Sequence, residues 1–234
     1  MYKIKIMLFA CGVASFLASC VNEPEAHQLT PLEQPFVLYA DQTEDSLRFY
    51  TYDSWTVTPL VDWISIDGPS HSEINYNYMK RYLCRLIVSL KPNTTGKTRK
   101  GSVLVQSYDY CYSAPFVQLG VLNVSHPRYT VDSYLDVQSL IPDVAHYVLT
   151  DSAYWTSDSI CFTVQNSWEL AFVGEAAPDW VSLDRVVGSS GKSKVNLTLA
   201  KNTDTENGRE ATLRLTSGGV SNTITVRQLP AEEQ

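Results

Sequence analysis

The chain has 234 residues, with 25 acidic side chains against 18 basic ones and a formal charge of −7. That balance argues against a nucleic-acid partner, whose capture needs a basic patch to displace phosphate counterions. Fourteen Tyr and five Trp, with segments rich in Thr, Ser and Val, favour strands over helices, and the length suits two domains of about 100 residues each.

At the start of the chain, Lys3 and Lys5 precede an apolar run over residues 6–16, followed by Leu17-Ala18-Ser19-Cys20. The run is too short to cross the roughly 30 Å hydrocarbon core as a helix. The order of charge, apolar stretch and terminal cysteine resembles a bacterial lipoprotein signal. The resemblance implies removal of residues 1–19 and acylation of Cys20, which would tie a soluble body to a membrane face. Two lysines and no acids are lost, taking the formal charge from −7 to −9. Val21, not Asp, follows Cys20. In Gram-negative families that implies the outer membrane, and the stretch from Val21 to Glu25 resembles the acidic surface-export tag of Bacteroidetes lipoproteins. Residues 20–34, carrying Pro24 and Pro31, read as a flexible stalk.

The rest of the chain holds one unit twice. Asp45-Ser46-Leu47-Arg48-Phe49 matches Asp158-Ser159-Ile160-Cys161-Phe162, and Ser54-Trp55 matches Ser167-Trp168 at the same offset. Asp62-Trp63-Ile64-Ser65 matches Asp179-Trp180-Val181-Ser182. Leu86, Val88 and Leu90 align with Val195, Leu197 and Leu199, and Arg99 with Gln118-Leu119 aligns with Arg209 with Gln228-Leu229. Apolar residues recur at every second position, the period of a strand with one buried face. The polar segments 92–96 and 202–208 read as turns between strands, the second as a hairpin turn. Six or seven short strands per copy predict an all-β protein of two tandem immunoglobulin-like sandwiches. The expected boundaries are 35–122 for the first sandwich, 123–145 for a linker or leading strand, and 146–230 for the second. Cys84 and Cys111 would meet in a disulfide if their strands formed a hairpin, which an envelope location permits; Cys161 reads as a packed thiol.

The sequence order Ser-Trp-x-Val/Leu, Asp-Trp-Ile/Val-Ser, a polar turn before Arg, and a terminal Val-x-Gln strand resembles the BACON domain. The first copy departs from that pattern by an insertion over residues 68–81. The resemblance implies an immunoglobulin-like sandwich that binds carbohydrate, either polysaccharide or mucin glycan, without catalysis. The alternative it leaves open is a spacer or accessory subunit that binds another envelope protein.

The duplication separates shared residues, explained by the fold, from unshared ones. Trp55, Trp168, Trp63 and Trp180 are shared and expected in the core. Asp62 and Asp179 occupy one place in two separate domains, which does not suit a paired acid and base across one cleft. Tyr154-Trp155 is unshared and stands where the first copy is expected to have Gln42-Thr43-Glu44. Tyr76 and Tyr78 lie in the first copy's insertion, and Tyr82 stands at its end. These five aromatics are the candidate ligand-binding residues, able to stack on the C–H faces of sugars. Tyr108, Tyr110 and Tyr112 alternate and are expected to share a face. The four histidines lack ligand spacing, and the sequence offers no metal or cofactor motif.

Overall fold

The computed structural model describes residues 28–32, 36–74, 80–125, 129–131, 146–174 and 176–232. Cys20, Tyr76 and Tyr78 lie outside the described residues. Nineteen strands and no helix occur among them. The first sandwich contains β1 (Thr30–Leu32), β2 (Phe36–Leu38), β3 (Glu44–Thr51), β4 (Trp55–Pro59) and β5 (Ile64–Asp67). It continues with β6 (His71–Ser72), β7 (Tyr82–Leu90), β8 (Arg99–Ser107) and β9 (Tyr110–Gln118). The second contains β10 (Asn123–Val124), β11 (Tyr129–Val131), β12 (His146–Asp151), β13 (Ser157–Val164) and β14 (Trp168–Phe172). It closes with β15 (Val181–Leu183), β16 (Val187–Gly188), β17 (Gly191–Leu199), β18 (Arg209–Ser217) and β19 (Val220–Gln228).

In the first sandwich the sheet β1-β3-β7-β5 faces the sheet β2-β9-β8-β4-β6. In the second, β10-β13-β17-β15 faces β11-β12-β19-β18-β14-β16. Pairing is antiparallel except for β2 with β9 and β12 with β19, each an edge-switching parallel pair. This two-sheet arrangement, repeated, is an immunoglobulin-like β-sandwich architecture. Thr30–Leu32, expected in the stalk, instead pairs with β3. Its counterpart β10 pairs with β13, so residues 123–124 open the second sandwich.

The alternation read from the sequence is the alternation of burial. Leu47, Phe49 and Thr51 of β3 point inward, as do Ile160, Phe162 and Val164 of β13. All four shared tryptophans are buried, at 3–8% exposure. Trp55 meets Phe49 edge-on with ring centroids 5.5 Å apart, and Trp168 meets Phe162 at 4.9 Å. Edge-to-face pairs of this kind add about 0.5–1.5 kcal/mol beyond area burial. Arg99 lies over Trp63 at 4.5 Å and Arg209 over Trp180 at 4.7 Å. Each guanidinium also donates to a buried glutamine, Arg99 Nε to Gln118 Oε1 and Arg209 Nε to Gln228 Oε1, both at 2.9 Å.

Two further expectations change. Segment 202–208 is not a hairpin: β17 and β18 lie in opposite sheets, so the loop crosses the sandwich. Asn202 pins the crossing by donating from Nδ2 to the carbonyls of Asn207 and Leu229, as Asn93 does to Lys97 and Leu119. Cys84 and Cys111 form no disulfide. Their strands β7 and β9 belong to opposite sheets, Cys84 pointing into the core and Cys111 outward. Burial pushes the Cys84 thiol up to about 11, against a partly offsetting hydrogen bond with Trp55.

Candidate functional site

Matching loops of the two sandwiches have different fates. Gln118 Nε2 donates to the carbonyls of Tyr39, Ala40 and Gln42, while Gln228 Nε2 donates to those of Ser152, Ala153 and Trp155. This shared bonding sets Asp41 against Tyr154 and Gln42 against Trp155. The sequence expectation, which placed Tyr154-Trp155 opposite Gln42-Thr43-Glu44, is off by one residue. Short loops have no hydrophobic period to fix their alignment.

In the first sandwich the loop forms the joint to the second. Asp41 is fully buried, and its Oδ2 accepts from the Gln165 N–H at 2.7 Å, the Asn166 N–H at 3.3 Å and the Ser217 hydroxyl at 2.7 Å. Ala40 and Leu122 enter the core of the second sandwich, and Leu119 packs against it. Asn222 holds both backbone polar groups of Leu122, accepting its N–H at 3.2 Å and donating to its carbonyl at 3.0 Å. The Tyr147 hydroxyl donates to the same carbonyl at 3.2 Å. Burial pushes that hydroxyl up to about 12.

In the second sandwich the same surface is open. Tyr154 is 45% exposed, Trp155 41% and Leu229, the counterpart of Leu119, 45%. The backbone beneath is fixed: the Trp155 N–H donates to Ser152 O at 3.1 Å, and Gln228 holds the Trp155 carbonyl. The Tyr154 hydroxyl reaches Glu232 O at 3.3 Å. Thr156 and Ser157 are exposed next to the rings in sequence. A flat aromatic face on a held loop with adjacent hydroxyls can stack on an apolar ring face and bond its polar rim.

The other candidates divide. Tyr82 sits half-buried at the start of β7, with Lys80 Nζ 4.9 Å from its ring centroid. Tyr108 is not on a strand: it occupies the β8–β9 turn at φ 52°. Tyr110 is exposed, while Tyr112 packs against the core and burial raises its hydroxyl. Tyr110 and Tyr112, two residues apart on β9, share its inward side, Tyr110 at the open end of the strand, and Tyr108 stands apart from them. Asp62 and Asp179 each lie close enough to Arg99 and Arg209, respectively, to stabilise their charge, one pair in each sandwich. Sequence reasoning missed Asp41. Its signal was present, since Asp41 is also unshared between the copies.

Residues 168–229, covering most of the second sandwich, match the family described as "BACON: Putative binding domain, N-terminal". No curated protein matches the chain. Among solved structures, a GH5 xyloglucanase of Bacteroides ovatus in complex with a heptasaccharide is similar at 25% identity and a TM-score of 0.31. That likeness covers 36% of this chain, which spans only 17% of the xyloglucanase. Domains 5–6 of the S-layer protein SbsC are similar at 9% identity and a TM-score of 0.31, over 88% of this chain and 98% of theirs. A titin immunoglobulin tandem is similar at 4% identity and a TM-score of 0.27, over 89% and 99%.

Proposed function

We propose that the protein is a non-catalytic, lipid-anchored envelope protein that binds carbohydrate, polysaccharide or mucin glycan, through the loop carrying Tyr154 and Trp155. The observation that carries this reading is the contrast between the two loops. Where the first sandwich buries Asp41 in a joint, the second presents two large rings on a fixed backbone. The match of the second sandwich to a family described as binding supports it.

The topology gives that loop a position. Thr30 pairs with Tyr50, at the end of the first sandwich remote from the joint. Loop 152–156 lies at the end of the second sandwich remote from the joint, since β13 runs from that loop to Val164 beside it. Strands of eight or nine residues span about 26–30 Å each. Acylation at Cys20 therefore anchors one end and carries the rings on the order of 50 Å outward. Weak binding at one such tip gains from many copies on one surface.

Glycan arrays and mucin pull-downs with the full chain test the reading. Binding that Trp155→Ala weakens about tenfold supports it; blank arrays, or an affinity unchanged by the substitution, overturn it. Co-purification of an envelope protein without glycan binding would favour the accessory-subunit alternative instead. Radiolabelled palmitate incorporated by the wild type and lost in Cys20→Ala tests the anchor.

A further inference from the structure

A second groove, at the opposite end of the molecule, differs between the repeats in a way the fold does not require. It lies on the outer face of the first sandwich, over β4, β6 and β8, and has a volume of about 450 Å³. The strand register builds it as two rows. His71, Thr56 and Gln106 stand side by side, because Thr56 pairs with both of the others. One step further along lie Glu73, Ser54 and Tyr108. All six side chains carry polar groups and are exposed, and Ser54 exchanges hydrogen bonds with the backbone of Ile74. The second sandwich keeps the groove, at about 450 Å³, but not its lining. There the matching row is Val187, Glu169 and Thr216, and Gly218 stands in the place of Tyr108.

Tyr108 is the telling residue. It is 64% exposed and adopts φ 52°, where its counterpart Gly218 adopts φ 54°. A left-handed backbone is unfavourable for a residue with a Cβ and costs about 1–2 kcal/mol, so a large exposed ring is held there against local preference. Cross-strand neighbours on one face stand about 4.5–5.5 Å apart, which matches the spacing of groups around one sugar ring. A tyrosine ring beside a carboxylate, an amide and an imidazole can cover one face of a pyranose and bond its vicinal hydroxyls. The Glu73 carboxylate in the groove repels uronate or sulfated sugars.

We infer that this groove is a second saccharide subsite, selective for a neutral sugar residue. The inference rests on the reading of the chain as a carbohydrate binder and adds a site remote from Trp155.

Ligand-observed NMR of the full chain in detergent, titrated with methyl glycosides of glucose, galactose and mannose and with methyl glucuronide, tests it. The expected result is saturation transfer to at least one neutral glycoside and none to the glucuronide. Tyr108→Gly, which restores the residue the second sandwich tolerates, should weaken that binding about tenfold. Gln106→Ala should weaken it as well, and Tyr108→Gly should have the same effect in a Trp155→Ala background as in the wild type. The subsite is overturned if neutral glycosides bind with equal strength to wild type and Tyr108→Gly, or if the glucuronide binds as well as they do. Sensitivity to Trp155→Ala alone overturns the subsite and spares the tip; sensitivity to Tyr108→Gly alone does the reverse.

Discussion

Single residues divide according to whether the other copy of the unit has them. Trp168 is 3% exposed, contacts Phe162 edge-on and donates from its indole N–H to the Ser193 hydroxyl at 3.0 Å. Trp55 repeats this with Cys84 in the serine's place, so the indole keeps a partner in both cores. Trp168→Ala should lower stability by about 3–5 kcal/mol in a denaturant titration, the usual loss for a buried ring this size. The cysteines give a second check. The Cys84 thiol, raised to about 11 by burial, holds almost no thiolate at pH 8, whereas Cys111 is exposed. Iodoacetamide at pH 8 should therefore label Cys111 in the native protein and Cys84 only after denaturation. Labelling of Cys84 at the same rate as Cys111 would contradict the packing of β7. The tryptophans were legible in the sequence because each sits in an alternating run with a copy elsewhere. Whether Cys84 and Cys111 meet was not, because period-two alternation assigns a residue to a face and not a strand to a sheet.

Elements show where the sequence pattern stops. Strands were legible because Leu47 and Phe49, like Ile160 and Phe162, repeat an inward face. The joint was not, because its specificity lies at strand ends and turns: Asp41 reaches backbone N–H groups of the β13–β14 connection and Ser217 at the end of β18. Every residue but proline offers a backbone N–H, so the receiving side leaves little trace in side-chain type. Gly218 is the exception. At φ 54° a Cβ would stand 2.7 Å from Asn166 Nδ2 and 3.1 Å from the Asp41 carbonyl oxygen. Gly219, at φ 82°, has nothing within 4 Å of the same construction. Both substitutions to Ala incur the left-handed penalty of about 1 kcal/mol. Only Gly218→Ala should lose appreciably more in a thermal melt, because it also displaces Asn166 and Asp41; equal losses would place the joint elsewhere. Tyr147 offers a pH handle. Its folded pKa of about 12 exceeds the ordinary value near 10, so the unfolded chain gives up that proton first. Its contribution is full below pH 10 and should fall by about 1.4 kcal/mol per pH unit between 10 and 12. Tyr147→Phe should flatten that part of the stability–pH curve.

At the scale of the molecule, the joint decides whether two sandwiches behave as one body. Modules joined by a bare linker unfold independently, since small polar contacts between domains permit relative motion. Here Ala40 and Leu122 belong to the second sandwich's core, and the buried Asp41 carboxylate bonds two backbone N–H groups and a hydroxyl across the boundary. Unfolding either sandwich alone would expose that apolar contact and strand those groups. An intramolecular hydrogen bond contributes about 0.5–1.5 kcal/mol, and a buried donor left unpaired costs about 1–3 kcal/mol. Loss of the carboxylate thus removes a few kcal/mol from the coupling alone, comparable with a large share of one domain's stability. Calorimetry of the full chain should show one cooperative transition for the wild type. Asp41→Ala should split it into two, with Asp41→Asn, which keeps an acceptor oxygen, lying between. Two transitions in the wild type, or a single one retained in Asp41→Ala, would mean that the joint orders the sandwiches without coupling them. The Trp155 loop would then ride on a hinge and not on a rod.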